Sequence, residues 1–442
     1  MSTRPDDDSG LAAWLRARPA LCWALYDWAN SAFATTVLAG FFPAFFRQYW
    51  SLGADATVTT FRLGVANGVA GFVIALLAPL LGAIADRGGR RKRFLLAWSL
   101  LGIAATAGLY FAGEGQWGVA IVLFTLGTMG FNGGIVFYDA LLLDVASPAD
   151  YDRVSSFGYA LGYLGGGVLF AINVLTVVKP GWFGLSGAAA AVQFSFLTVA
   201  AWWLLFLLPL VLFVPEAPAV RGAGERATDG ALRAGFTELV ATARRIAAHR
   251  GLVTFLVAYW LYIDAVNTVI KMAIDYGMAL GLDTRLLLAA LLLTQFVAFP
   301  AAVAFGRLGE RIGARAGVLV GLSVYLGLTV YAYFLDTIVE FFVMAVIVGL
   351  VQGGVQSLSR SFFGRLVPAG KSAEFFGFYN MVGKFGTVLG PLLVGTVALV
   401  TGSSRASILS LSILFVAGGL LLWRVPAAAG KGPQSQAAGS SP

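Results

Sequence analysis

Apolar residues in this chain come in long unbroken blocks, separated by short polar and basic stretches. A helix needs roughly 20 apolar residues to cross a bilayer. The blocks predict twelve such helices, at about residues 21–46, 61–85, 94–112, 118–143, 155–177, 190–213, 251–275, 285–305, 317–334, 340–364, 375–399 and 405–424. Barrel strands would need alternating segments of about ten residues, and the chain has none. Backbone polar groups in lipid are satisfied only by helices or closed barrels. The pattern therefore predicts an all-α polytopic membrane protein with twelve transmembrane helices.

The pattern breaks once in mid-chain, from Val214 to Arg250, where Pro215, Pro218, Gly222 and many charges gather. This predicts a tail at 1–20, a six-helix bundle at 21–213, a linker at 214–250, a second six-helix bundle at 251–424 and a tail at 425–442. Within the linker, 237–250 can form an amphipathic helix on the membrane surface. His249 falls there and is expected to face solvent or headgroups.

The two halves repeat each other. Gly82-Ala-Ile-Ala-Asp-Arg-Gly-Gly-Arg-Arg-Lys92 reads G-x-x-x-D-R-x-G-x-R-K. Displaced by 224 positions, Gly306, Glu310, Arg311, Gly313 and Arg315 match Gly82, Asp86, Arg87, Gly89 and Arg91. Helix 1 carries Asp27-Trp-Ala-Asn30-Ser31 and helix 7 carries Asp264-Ala-Val-Asn267-Thr268, both D-x-x-N-[ST]. Gly133-Gly134 and Pro148 recur 220 positions later as Gly353-Gly354 and Pro368. Each copy keeps the same inside–outside sense, so these are parallel repeats. In the loop motif the glycines permit close helix approach, and Asp86 can pair with an arginine or accept from a helix N-terminus.

Composition agrees with the block pattern. Of 442 residues, 59% are hydrophobic and 12% charged, against about 25% charged in soluble proteins; mean hydropathy is +0.82. The net charge of +8 would suggest nucleic acid in a soluble protein. Here the cations concentrate in alternate loops, about 22 on the side of the tails and about 5 on the other. That is positive-inside topology, and it predicts a bacterial-type cytoplasmic membrane with both termini cytoplasmic and no nucleic-acid partner. One cysteine, Cys22, and one histidine exclude an internal disulfide and a His/Cys metal cluster. No cofactor is expected. The three aspartates at 6–8 replace the basic region of a signal peptide, and the first apolar run is too long for one, so it reads as a retained helix.

Twelve helices in two halves, with the Gly82–Lys92 motif between helices 2 and 3, resemble the major facilitator superfamily. The stretches Tyr26–Phe33, Arg153–Gly167, Gln356–Ser361 and Glu374–Tyr379 with Gly383-Lys384 resemble more narrowly the branch that includes fungal vacuolar amino-acid effluxers linked to autophagy. Ala265 departs from the branch, where glycine follows the aspartate. The resemblance implies a major facilitator fold, a secondary transporter working by alternating access, and a cavity lined by helices 1, 4, 7 and 10.

Embedded polar residues fall on those helices independently: Asp27 and Asn30, Tyr138 and Asp139, Asp264, Asn267 and Lys271, Gln356 and Arg360, with Lys384 on helix 11. Unpaired, each charge costs several kcal/mol in lipid, so it faces a wet cavity or another charge. The mixed signs suit a zwitterion. Arg360 can grip a carboxylate, Asp264 or Asp139 an ammonium group, and Tyr26, Trp28 and Tyr262 can supply aromatic walls. A buried acid can also carry a coupling proton. Equally, Asp264 with Lys271 and Arg360 with Asp139 can be internal bridges that lock the bundle. Asp144 and Glu374 are expected to bridge to Arg153 or Lys371 at a cytoplasmic gate.

The expected protein is a monomeric transporter whose partners are the bilayer, a small-molecule substrate and protons, with amino acids the first substrate and another small solute, such as a sugar or drug, the alternative. A membrane enzyme would need a nucleophile–base or metal constellation, which the sequence lacks. A transport-inactive receptor would usually carry a sizeable soluble domain, and none is present.

Overall fold

Twelve helices long and apolar enough to cross a membrane follow the apolar blocks: α1 Pro19–Trp50, α2 Phe61–Gly88, α3 Arg91–Phe111, α4 Trp117–Val145, α5 Tyr151–Val178, α6 Ala188–Phe213, α7 Arg250–Ala273, α8 Leu286–Ile312, α9 Ala314–Tyr333, α10 Ile338–Leu366, α11 Ser372–Thr401 and α12 Ser404–Arg424. The computed structural model describes residues 18–216, 231–368, 370–385 and 389–426. The tails at 1–17 and 427–442 and the linker portion 217–230 lie outside the described residues. No strand occurs among those described.

The helices outrun the apolar blocks at their charged ends. Hydropathy stops at a charge, but backbone hydrogen bonding does not. Thus α2 continues through Asp86 and Arg87 and stops where Gly89 turns left-handed, at φ 55°. Its repeat, Gly313, also has positive φ, 87°, so both loop motifs use glycine where an L side chain would be strained. The first helix widens after Ala32 into i→i+5 bonding over Phe33–Phe41 and Phe46–Trp50, around Pro43, which has no N–H to give.

The loop after α2 defines one end of the bundle, called here the motif face; the opposite end is the far face. Helices α2 and α11 pack together, as do α5 and α8, and α5 also meets α10. A Cβ on Gly82 would collide with the backbone of Ala373, and one on Gly377 would lie 2.7 Å from the Ala78 carbonyl oxygen. A Cβ on Gly306 of α8 would lie 2.8 Å from Ser156 of α5. These contacts sit toward the motif face. Toward the far face Gly64, Gly68 and Gly71 of α2 and Gly395 of α11 have nothing within 4 Å. Phe61, Val65, Val69, Phe72 and Leu76 of α2 are also exposed. So α2 and α11 touch at the motif face and part toward the far face, leaving a cleft between them.

The linker forms a helix at Ala231–Ala248. It packs on α2, α7 and α11 with Thr242 and Ile246 buried, so it rests against the bundle. His249 is exposed. Because the seam depends on backbone-level contact, Gly82→Val should lower the thermal unfolding midpoint in detergent, at a cost of about 1–3 kcal/mol from overpacking. Gly68→Val, in open space, should stay within about 0.5 kcal/mol.

Candidate functional site

Toward the motif face the structure buries a guanidinium. Arg360 of α10 is 1% exposed. Its Nη1 donates to Asp139 Oδ1 of α4 at 3.0 Å. Nε donates to Ser155 Oγ at 2.9 Å and Nη2 to the Ser155 carbonyl at 2.9 Å, both on α5. Asp27 of α1 stands 3.8 Å from Nη1. The rings of Tyr159, Trp23 and Tyr138 lie 4.4, 4.9 and 5.4 Å from the guanidinium carbon, within cation–π range. The far oxygen of Asp139 accepts from Asn380 Nδ2 of α11 at 3.0 Å, and Tyr138 donates its hydroxyl to Asp27 at 2.9 Å. One cation thus binds α1, α4 and α5 to α10, and α11 joins through Asp139. Of the two roles open to Arg360, the structure shows the internal bridge: its donors are held by Asp139 and Ser155.

The other embedded residues divide into groups. Asn30 is buried, with no partner for Nδ2. Gln356 accepts from Tyr163 at 3.1 Å. Asp264 does not join Arg360: it accepts from the backbone N–H of Gly390 at 3.0 Å and from Thr268, holding the outer segment of α11 to α7. Asn267 is half-buried and Lys271 exposed, the latter within electrostatic reach of Asp264. Lys384 donates to Asn132 Oδ1 of α4 at 2.6 Å. A separate cleft of about 50 Å³ lies among α7, α8 and α10, with Thr294, Gln295 and Gln352 in a largely apolar wall.

Two expectations need correction. Trp28 is not a wall of the Arg360 site. It stacks on Trp202 of α6 at 5.5 Å, because successive helix positions point about 100° apart and Asp27 takes the inward one. Tyr26 does lie beside Tyr138, at 5.0 Å, but bonds Ser99; Tyr262 bonds Ser359. Asp144 bridges to Arg91 at 2.8 Å rather than to Arg153 or Lys371. Arg153, exposed at the start of α5, pairs with Asp150 at 2.7 Å. Glu374 does approach Lys371, at 3.7 Å.

The two loop motifs are used unequally. Asp86 is buried; Oδ1 accepts from Arg91 Nε at 2.6 Å and from the Ala373 N–H at 3.1 Å, and Oδ2 accepts from the Glu374 N–H at 2.8 Å. The aspartate therefore sits on the N-terminus of α11, where unpaired N–H groups favour an anion. Arg87 is half-buried beside it. In the second copy Glu310 is exposed and reaches only Arg153, at 3.9 Å. Arg311 is exposed too. The corresponding place near Gly306 is taken by Asp152, which accepts from Arg365 at 2.7 Å and closely from Ser361. Arg315 donates to the Trp423 and Val425 carbonyls at the end of α12, as Lys92 donates to the Val214 carbonyl at the end of α6. The Val-Pro pairs at 214–215 and 425–426 are the signal for that repeated tie.

Asn132, Ser155, Asn380 and the rings of Trp23, Tyr159 and Tyr163 were not singled out from sequence. The amides were legible as uncharged polar residues inside apolar helices. The aromatics were not, since their spacing is that of ordinary core residues.

A family model described as "Vacuole effluxer Atg22 like" matches residues 51–435. "Uncharacterized MFS-type transporter YxiO" of Bacillus subtilis (strain 168) is 39% identical over 406 residues, 91% of this chain and 94% of that protein. Autophagy-related protein 22 of Yarrowia lipolytica is 26% identical over 293 residues, 60% of this chain and 48% of the relative, so this chain matches about half of that protein's length. Among solved structures, the proton:xylose symporter XylE bound to 6-bromo-6-deoxy-D-glucose has a TM-score of 0.72 at 13% identity, covering 98% of this chain and 99% of that one, a likeness of fold.

Removing one member of a buried pair leaves a charge without compensation, at about 3–5 kcal/mol. Arg360→Met should therefore lower the unfolding midpoint sharply. Arg360→Met with Asp139→Leu should recover much of the loss, read as a coupling energy in a double-mutant cycle.

Proposed function

The chain belongs to the family described as Atg22-like vacuole effluxers and is a transporter of the major facilitator type, and on that premise we propose that it moves a small polar metabolite, first of all an amino acid, across the cytoplasmic membrane by alternating access. The observation that carries the reading is the unequal seam between residues 21–213 and 251–424. At the motif face it is closed by Asp86 on the start of α11 and by Asp152 with Arg365. Toward the far face α2 and α11 diverge. The cationic loops support a cytoplasmic motif face, and on that reading the present arrangement is closed inward and open outward.

The opposite state requires the seam to open. Its bonds are short-range and charge-assisted, so they hold or release as a set. Asp86 gives up the α11 N–H groups while keeping Arg91, which lies on its own side of the seam with Asp144. Asp152 gives up Arg365, and Asp139 gives up Arg360. Each exposed partner then meets water entering from the cytoplasmic side, which offsets most of the lost pairing.

The coupling ion is a proton, and Asp27 is its carrier. Asp27 and Asp139 share one guanidinium, with Asp139 nearer. Asp27 is therefore the less closely compensated acid of the two, and protonating it removes its charge from a dry site. Asp27 also has the more exposed side chain, 13% against 5%.

Flux in proteoliposomes tests the reading. Wild-type protein should accumulate a labelled amino acid under an imposed pH gradient. Asp27→Asn should abolish gradient-driven accumulation but keep counterflow exchange. Asp86→Asn should slow both about tenfold or more, with binding affinity within about twofold. No flux of any amino acid, sugar or nucleoside would contradict the transport proposal. Loss of affinity in Asp86→Asn would contradict the latch.

A further inference from the structure

A polar row runs down α10. Gln352, Gln356 and Arg360 follow at four-residue steps, so they share one side of the helix. The inner two are spent. Arg360 is held by Asp139 and Ser155, and Gln356 accepts from Tyr163 of α5 at 3.1 Å. Gln352, at the far-face end of the row, is 3% exposed and makes no hydrogen bond to another described residue. A buried amide without partners is costly.

Gln352 lies in the wall of the cleft among α7, α8 and α10. Gln295 of α8 lies in the same wall, half-buried and also without a partner among the described residues. Thr294, beside it, is not free: its hydroxyl donates to the Ala290 and Ala345 carbonyls at 2.9 and 3.1 Å. The rest of the wall is apolar, with Val269 from α7, Leu291 from α8 and Met344 from α10, and no charged side chain lines it.

The place suits a solute. Gln352 precedes Arg360 by eight residues, about 12 Å along a helix, on the far-face side of the lock. The inner end of the cleft reaches the boundary between the two bundles. A Cβ on Gly167 of α5 would lie 3.2 Å from Cβ of Gln295, and one on Gly353, next to Gln352, would lie 2.7 Å from the ring of Tyr163. A solute seated there lies outside the lock and touches α8 and α10 where they meet α5.

The chemistry of the wall selects the occupant. An ionised group would be left unpaired among apolar side chains, at a heavy cost. An alkyl group would fill the space but strand both amides. Each amide carries two donors and an acceptor, so the matching group is uncharged and both gives and takes a hydrogen bond, as a hydroxyl or a carboxamide does. The volume of about 50 Å³ is about a third of that of an engineered cavity that holds benzene. It admits a short side chain and excludes a sugar ring.

We propose that this cleft is the side-chain subsite of the transported solute, and that Gln352 and Gln295 select a short, uncharged side chain tipped by a hydroxyl or a carboxamide, as in threonine or asparagine. The inference rests on the transport reading above and narrows its substrate class.

The test is ligand-induced thermal stabilisation of the full chain in detergent with matched amino acids as probes, followed by counterflow of the same amino acids in proteoliposomes. Threonine is compared with valine, and asparagine with leucine and with aspartate. Threonine or asparagine should bind tenfold or more tighter than its matches, because a site built around a polar group rejects the analogue that lacks it. Gln352→Leu should weaken that binding tenfold or more and erase the preference over the aliphatic match. Its unliganded midpoint, which reports folding separately, should stay at or above the wild-type value. Gln295→Leu should cost several-fold in affinity and carries the test if Gln352→Leu does not fold. Tighter binding of valine, leucine or aspartate overturns the proposal, as do equal affinities within the pairs, affinities that ignore both glutamine changes, and no shift from any probe at millimolar concentration. Glutamine-dependent binding without counterflow would sink the transport reading and leave the subsite standing. Counterflow of an amino acid whose affinity ignores both glutamines would do the reverse.

Discussion

A buried guanidinium in an apolar bundle must be compensated, and the architecture of this protein follows from how that is done. Arg360 is almost completely buried. It is neutralised by Asp139, bonded by Ser155 and faced by three aromatic rings. The donors and acceptors come from α4 and α5 on one side and α10 and α11 on the other. A pair of this kind is a poor source of net stability, because desolvation offsets most of the attraction. Its value is specificity: it fixes which helices meet, and it makes their separation an all-or-none event.

The motif-face seam uses the same physics with a different donor. Asp86 sits on the exposed N–H groups that begin α11. Those groups are a fixed feature of any helix start, so the contact needs no second side chain. Glycine makes it possible, since a side chain on Gly82 would collide with Ala373. Asp152 and Arg365 close the α5–α10 side with an ordinary ion pair. The two motif copies therefore share a sequence pattern but differ in what they hold, since Asp86 binds across the seam while Glu310 stays at the surface.

Much of the fold was legible in the apolar blocks, because in lipid the length of an apolar run and the closure of its backbone bonds leave few alternatives. Helix ends were less legible, since α2 carries charges through its last turn. The residue types of the buried cluster were legible too: Asp27, Asp139 and Arg360 are costly where they stand, so they had to serve something. Their partners were not. Sequence spacing fixes which residues share a helix face, but not which face of another helix it meets. That is why Asp144, expected to meet Arg153 or Lys371, is found on Arg91, and why the hold of Asp264 on the backbone of α11 could not be read from its spacing to Lys271. The neglect of Trp23 and Tyr159 has another cause, for an aromatic that cages a cation has the same periodicity as one that fills a core.

The central claim is that the seam closed here at the motif face opens when the far-face cleft closes. Spin-label distances between α2 and α11 measure it most directly, with one pair at Gly68 and Gly395 near the far face and a second at Arg87 and Lys371 near the motif face. In reconstituted protein, adding the transported solute and inverting the proton gradient should shorten the first distance and lengthen the second together. Two distances that stay fixed under every condition, or that change independently, would contradict the account.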